Sequence, residues 1–597
     1  MSAKTILPNK WMTPAIVANI VHHIPLLGVA YDRNVDYKTL LALSVTCRAL
    51  SKPALDLMWQ KLPSLIPLLR TLPCDLWTEV PANLDGLTTW HYRAPRKHMD
   101  FVRPLEVSDF KRFRTYAPRI KHISRTALDD IPVNISMTPG AYAALEEFSL
   151  ISLSLPNLRT LEIDYYVRSL AAAPLHVFRY PKLRSLRFTA PPRSLDHFEQ
   201  RISSLFDGLR LTSRQLTHVH LGNDEHLPVV VRQAVMDAIG GMPQLKELSC
   251  YDEPTFPPAM LCQIARFPKL RSISIGIRGR ATAGTASFPE LPAGCFTALK
   301  ELTLITDALA WVHSLIQSIK FDGLRFLSVR LTQPVSPTAL QEFFVTLCIC
   351  HPGLTRLDVA LPYEDPRVET LSAHSMYPLL RLRRLLLLHM GSCPVAVDET
   401  LVRAMSLAWR DIEELIVTIE VDEYPSLVSL SALVHLAANC RKLHRIGLPL
   451  DAEKVPPRLL SVPYVGQPNE QKIDLFVGRS KVGCPLDVAA YLSDMFPNLR
   501  QVYTEWEYDV GYLDSDDEDA WEYLSVAEEQ WRRWEEAEKF MQALWRIRLQ
   551  ERNDARAHGR TFRGPHQVLS AQAAKEIERQ RWAVAEQELE KILSRAY

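Results

Sequence analysis

Residues able to do chemistry are present in this chain, but the sequence does not group them. Cys348, Cys350 and His351 fall within four residues of each other, close enough for thiolate and imidazole to share a zinc ion, yet no second ligand pair follows at the spacing a tetrahedral site needs. They end an apolar helical stretch, which makes core thiols of the cysteines. DSDDEDAWEYLS, from Asp514, alternates carboxylates as a calcium loop does, but it lacks the mid-loop glycine and ends in Ser525 where a bidentate glutamate is required. GIRGRATAG, from Gly276, has glycines without G-x-G-x-x-G and without the Gly-Lys-Ser/Thr that cradles phosphate. The histidines are dispersed, with no H-E-x-x-H, and there is no G-x-S-x-G. No nucleophile is set beside a base. The expectation is a non-enzyme with no cofactor and no catalytic or structural metal.

The elements around these residues repeat. LRTLEI, LRSLRF, LKELSC, LKELTL and LTRLDV are variants of L-x-x-L-x-L, and their first apolar residues are Leu158, Leu183, Leu216, Leu245, Leu270, Leu299, Leu324, Leu354, Leu382, Ile412, Leu443 and Leu499. KIDLFVG, with Leu475 and Val477, fills the one long step, and the mean period is then about 28 residues. RIKHIS, with Ile120 and Ile123, is an earlier and weaker copy. Such a motif enters a short strand whose apolar residues alternate inward. Between strands the spacing turns helical. SPTALQEFFVTLC offers Ser336 as N-cap, Pro337 at the first helical position, and Leu340, Phe343, Phe344 and Leu347 on one stripe. LAWVHSLIQSI repeats the pattern through Leu309, Val312, Leu315, Ile316 and Ile319. At 597 residues the chain exceeds what one closed core supports, and stacked repeats solve that problem because each buries its neighbour's apolar flank.

These motifs resemble the leucine-rich-repeat family, and CICHPGLTRLDV and AANCRKLHRIGL look like the cysteine-bearing repeats of F-box proteins. The fold class expected is α/β: a leucine-rich-repeat solenoid, a curved parallel sheet with outer helices. The Asn or Cys usual after the strand is mostly missing, so irregular turns and varied helix lengths are expected.

Upstream, TPAIVANI, LLALSVTCRAL and LDLMW occur in the order of the F-box pattern, over roughly residues 11 to 62. Thr13 and Pro14 start a first helix, Asp36 caps a second, and Ser51 with Pro53 opens a third that ends near Trp59. The chain thus resembles an F-box protein with C-terminal leucine-rich repeats, of the fungal type. It departs from the pattern in LPNKWMTP, which is displaced and lacks an acid, and in the lengthened connection LLGVAYDRNVDYK. The resemblance implies that the box docks on the Skp-type adaptor of a Skp-cullin-F-box ubiquitin ligase and its cullin core, through Pro14, Ile16, Ile20, Leu40, Leu41, Leu43, Val45, Cys47, Leu50 and Trp59. It also implies that the array binds a protein substrate. A stand-alone repeat scaffold with a degenerate F-box, or a helical cap on the array, remains open.

On each strand the residue between the last two inward positions is expected on the concave face. These residues are Glu162, Arg187, His220, Ser249, Ser274, Thr303, Ser328, Asp358, Leu386, Ile416, Gly447, Phe476 and Tyr503. The early ones are polar and the late ones large and apolar, with Leu388 adding to the latter, so something is expected to cover the late strands. One choice is a substrate and the other is the chain's own tail. Residues 505–538 hold fourteen acids against two arginines, and Trp521, Leu524, Trp531, Trp534, Met541, Leu544 and Trp545 lie along one side of a helix. A further amphipathic helix follows from His566. Use of the tail for oligomerisation or a further partner also stays open.

The organisation expected is a helical box at 1–70, a connecting segment at 71–115, the array at 116–510, and an acidic linker with helical tail at 511–597. A net charge of +1 sets up no field for nucleic acid or an anionic membrane. Lys10, Trp11 and Pro14 interrupt what would be a signal peptide's apolar core, and no apolar run reaches the ~20 residues of a membrane span. Ten irregularly spaced cysteines fit a reducing compartment, so the location expected is cytoplasmic, nuclear or both.

Overall fold

The computed structural model describes residues 37–81, 97–124, 135–148, 153–164, 178–190, 198–212, 215–223, 229–251, 258–277, 291, 295–320, 322–362, 369–417, 428–457, 472–506, 518–557, 587 and 589–591. Two compact units divide the chain, Met1–Gly276 and Ile277–Tyr597.

In the first unit the large sheet contains β1 (Lys61–Leu62), β2 (His122–Ile123), β3 (Thr160–Asp164), β4 (Ser185–Ala190), β5 (His218–Asn223), β6 (Glu247–Tyr251) and β7 (Ser272–Ile277), in that spatial order. Every neighbouring pair is parallel. Helices α1 (Tyr37–Thr46) and α2 (Arg48–Met58) precede β1, and α3 (Phe198–Thr212), α4 (Val229–Gly240) and α5 (Pro258–Ile264) connect the later strands. In the second unit the order is β8 (Glu301–Thr306), β9 (Phe326–Leu331), β10 (Arg356–Ala360), β11 (Leu387–Gly391), β12 (Glu414–Ile416), β13 (Arg445–Gly447), β14 (Ile473–Gly478) and β15 (Leu499–Thr504), again parallel throughout. Helices α6 (Leu309–Ser318), α7 (Pro337–Cys350), α8 (Glu399–Ala408), α9 (Leu433–Asn439) and α10 (Pro485–Met495) lie between its strands, and α11 (Glu518–Ala557) follows β15.

The leucines explain this order. Leu158, Leu183, Leu216, Leu245 and Leu270 form one buried column of the first unit, and Leu161, Leu186, Val219, Leu248 and Ile273 a second, each at most 1% exposed. Aligned strands repeat these columns without offset, so each leucine packs on its counterpart one strand away. Each such burial removes an apolar side chain from water for roughly 1.5–3 kcal/mol. The fold is therefore an α/β leucine-rich repeat, and its stability is a sum over neighbours. The helices behave as their sequences dictate. In α7 the Ser336 hydroxyl accepts from Ala339 N–H and Pro337 occupies the first turn, while Leu340, Phe343, Phe344 and Leu347 are buried. Leu309, Val312, Leu315, Ile316 and Ile319 are buried on and just after α6. Among α3 to α10, helix length varies from 7 residues in α5 and α9 to 15 in α3, and α11 has 40.

Some details differ from the sequence reading. β1 continues the sheet upstream of residue 116, although two residues carry too little pattern to be seen in sequence. In the segment 71–115, Trp77–Pro81 pairs antiparallel with Lys97–Phe101, which pairs parallel with Ile135–Met137. α2 begins at Arg48, not at Ser51, because Leu50 and Ser51 N–H already bond to the Cys47 carbonyl. Pro53 therefore lies inside the helix, where the carbonyl it leaves without a donor belongs to exposed Ala49. The first expected box helix, with Pro14, Ile16 and Ile20, lies outside the described residues, as does most of the helix expected after His566. Among the described residues no helix is long and apolar enough to cross a membrane.

Candidate protein-binding face

Strand alternation leaves one face of each sheet open, and pairing register aligns its side chains in rows. In the first unit Glu162, Arg187, His220, Ser249 and Ser274 occupy one row. In the second, Thr303, Ser328 and Asp358 are followed by His389, Ile416, Gly447, Phe476 and Tyr503. Leu386 is not in this row. Four consecutive leucines, 385 to 388, let the motif be read three residues early; the pairing of Asp358 with His389 fixes the register, and Leu385 and Leu388 are the buried members. The late apolar surface is smaller as a result, since Leu388 is fully buried. A second row lies two residues earlier on the strands of each unit: it includes His218 and Glu247 in the first, and Phe326, Arg356, Glu414 and Arg445 in the second. The sequence analysis missed it, although the same period of two points to it.

Polar contacts tie the first unit's face together. Ser124 Oγ donates to Glu162 Oε2 at 2.6 Å, and Arg187 Nη1 donates to Glu162 Oε1 at 3.1 Å. His220 Nδ1 and Ser249 Oγ, on paired residues, are both buried without a hydrogen-bond partner among the described residues. Burial pushes the His220 pKa down, nearby Arg187 and His218 push the same way, and Glu247 and Glu162 oppose them. One arrangement looks catalytic. The Thr217 hydroxyl lies 2.8 Å from His218 Nδ1, and His218 Nε2 lies 3.5 Å from Glu247 Oε1. Thr217 donates its proton to the Arg184 carbonyl at 3.0 Å, so its oxygen accepts from Nδ1–H and gains no base.

The second unit's face is charged and aromatic. Glu414 accepts from Arg445 Nη1 at 2.8 Å and lies 3.1 Å from His389 Nε2, with His444 Nε2 at 3.7 Å. The Arg445 guanidinium sits 4.9 Å over the Phe476 ring, and Phe476 stacks on Tyr503 with centroids 4.6 Å apart and planes 11° from parallel. A cleft begins there, lined by Ile416, Phe476, Gly478, Val502, Tyr503, Thr504, Glu505, Trp531, Trp534, Glu535 and Glu538. Gly478 adopts a φ of 55° at a register shift in the β14–β15 pair, a bend that suits glycine.

α11 bonds to the edge of β15, and its Trp531 and Trp534 share the cleft with the open-face residues Phe476 and Tyr503. Glu538 accepts the outward N–H of Val502 at 3.0 Å, Gln530 accepts Val482 N–H at 2.8 Å, and Arg533 donates to the Val482 carbonyl at 3.2 Å. The Ser480 carbonyl accepts from both Trp534 Nε1, at 2.8 Å, and Trp506 Nε1, at 3.2 Å. The buried stripe of α11 is Ala527, Gln530, Trp534, Ala537 and Met541, packed toward α10 and β15. Of the stripe expected from sequence, Trp534 and Met541 belong to it; Trp531, Leu544 and Trp545 are half-buried. The side chains of Trp521 and Leu524 lie outside the described residues. Tyr503 keeps 39% of its surface exposed.

At the other end, Leu40 is fully buried with Ala54, and Leu43, Leu50, Leu57 and Met58 pack around them. Leu40 therefore builds the α1–α2 pair and presents no surface. Leu41 and Val45 are 55% and 79% exposed, one turn apart, and Cys47 is exposed beside them. Trp59 stacks on Tyr116 with centroids 4.4 Å apart.

Of the three metal candidates, Cys348 and His351 go to the core and Cys350 is half-buried. Cys348 donates to the Pro378 carbonyl at 3.1 Å, and burial pushes its pKa up to about 12. His351 is fully buried, with Nε2 3.0 Å from the Ile316 carbonyl, and burial lowers its pKa. Among the described residues no group of three or more His, Cys, Asp or Glu side chains could hold a metal ion.

No protein-family model matches the chain, and no curated protein matches it. Among solved structures, an internalin from Listeria monocytogenes is similar at 11% identity, covering 68% of this chain and 80% of that one, with a TM-score of 0.23. The leucine-rich-repeat architecture rests on this chain's own parallel strands and buried leucine columns.

Proposed function

We propose that this chain is a non-catalytic substrate-recognition subunit of a Skp-cullin-F-box ubiquitin ligase, working in the cytoplasm or the nucleus. α1 and α2 dock on the Skp-type adaptor, and the open strand face holds a protein substrate. The observation that carries this reading is the outward pair Leu41 and Val45, with 55% and 79% of their surfaces in water. α1 already buries Leu40 against α2, so the extra apolar side chains add nothing to that packing and suit a second protein. A substrate held beside a ubiquitin-loaded enzyme reacts at a high effective concentration, which is the whole of the chain's contribution to rate.

Co-expression with a Skp adaptor tests this. The two proteins should co-purify, and Leu41→Asp with Val45→Asp should abolish it while the chain stays folded. A wild-type chain that never retains the adaptor would sink the proposal in favour of a stand-alone interaction scaffold. Four positions favour that second reading: Leu40, Leu43, Leu50 and Trp59, all expected at the adaptor, make contacts inside the first unit.

A further inference from the structure

We infer that the cleft between β15 and α11 is a binding slot for an arginine side chain of a partner protein. The chain already shows the contact it would repeat. Arg445 of β13 lies over Phe476 of β14, and Phe476 stacks on Tyr503 of β15, so a guanidinium and two rings follow one another strand by strand. Phe476 has both faces occupied. Tyr503, on β15, stacks on Phe476, keeps 39% of its surface exposed and lines the cleft together with Trp531 and Trp534 of α11. A planar cation extends such a stack, because a ring face attracts positive charge and a guanidinium also lies flat upon it.

Charge agrees with shape. The cleft is lined by the carboxylates of Glu505, Glu535 and Glu538 and by no lysine or arginine. Glu538 has both oxygens engaged, by Val502 N–H and by Gln542 Nε2, so the incoming cation is met by Glu505 and by Glu535, which lies 3.0 Å from Lys539 Nζ at the exposed surface. In sequence, residues 505–538 carry fourteen acids against two arginines, a balance that attracts a basic peptide. A carboxylate rim around an aromatic floor selects a cation over a neutral apolar side chain. The bidentate geometry of guanidinium on carboxylate then favours arginine over lysine. This slot deepens the substrate-binding half of the proposed function and is independent of adaptor docking.

The test uses the full chain and three fluorescein-labelled peptides, GSRSGRSGRSG and its citrulline and lysine counterparts, read by fluorescence anisotropy. The arginine peptide should bind at least tenfold more tightly than the citrulline peptide, with lysine between them. Glu505→Gln with Glu535→Gln should cost about tenfold, and so should Tyr503→Ala. The control pair Glu528→Gln with Glu536→Gln removes the same charge from α11 outside the cleft and should change binding less than twofold. Equal weakening by cleft and control pairs would show diffuse charge attraction and overturn the slot, as would citrulline binding as well as arginine. A cleft pair that leaves arginine binding unchanged but converts a dimer to a monomer in sedimentation would also overturn it, by assigning the cleft to a second copy. Adaptor co-purification is unaffected by these variants, so failure here leaves that reading separately testable.

Discussion

α11 finishes β15 by bonding to backbone of β15 and of the turn after β14, whereas α1 and α2, which precede β1, are held to their unit by few of the described side chains and keep apolar surface outward. On α11, Glu538 engages the backbone of β15, and Gln530, Arg533 and Trp534 engage the backbone of the turn between β14 and α10. On α2 and just after it, the ties are the Trp59–Tyr116 stack and Arg119, which reaches Asp56 and the Lys52 carbonyl. The contrast separates two jobs. An exposed strand edge is a template for unwanted pairing, so a helix that closes it must satisfy its N–H groups. On the proposed function, the helix pair that leaves Leu41 and Val45 in water is completed by the adaptor's surface.

The largest expected effect follows from removing the anchor of α11. Trp534 is 1% exposed and donates to the Ser480 carbonyl, so Trp534→Ala opens a cavity and should destabilise by about 3–5 kcal/mol. Urea unfolding followed by far-ultraviolet circular dichroism would report it. A loss below about 1 kcal/mol would mean that α11 is only loosely attached and that the contrast between the two ends is false.

Glu538→Ala probes the edge alone. It leaves Val502 N–H without its acceptor and should cost about 1–3 kcal/mol, with self-association rising in light scattering as the edge of β15 opens. Glu538→Gln keeps an acceptor oxygen and should recover most of the loss. If both variants behave alike, the bond to Val502 is not what closes the strand.

How far the sequence foretold these regions depends on what each is made of. The strands and helices of the array were legible because leucine at fixed spacing is both the signal and the cause: the residues that repeat are the residues that stack. The register of β11 was not, since four leucines in succession satisfy the motif in more than one frame and only pairing with β10 decides. The stripe of α11 was misread for a related reason. Large apolar residues draw attention, but close approach to α10 and β15 uses Ala527 and Ala537, and the polar Gln530 is buried because it serves Val482. The open-face row was legible from alternation, while the Glu414 cluster and the aromatic cleft depend on neighbours 25 or more residues away.

Mild acid should divide the two units. Burial lowers the pKa of His122 and His220 in the first unit and of His351 in the second; Lys61, Lys121 and Arg159 add to the effect at His122. An unfolded histidine takes up a proton near pH 6.5, and these folded ones do so lower. Between those values the unfolded chain binds more protons, so the stability present above about pH 6.5 is lost as pH falls through the folded pKa values. The urea midpoint should therefore drop from pH 7.5 to 5.5, and His122→Asn with His220→Asn should remove more of that drop than His351→Asn. A midpoint independent of pH in this window would show that burial does not hold these rings neutral.

The smallest expected change in stability is at α1, and its smallness is informative. Leu41→Asp and Val45→Asp replace side chains that already face water, so each should shift stability by no more than about 0.5 kcal/mol. Leu40→Asp, one residue away, would place a charge against Ala54 and Leu57 and should unfold the α1–α2 pair. The two outcomes together separate packing from docking on a single helix. If Leu41→Asp destabilised the chain as much as Leu40→Asp, both leucines would belong to the chain's own core. The surface assigned to a partner would then have to be sought on the strands.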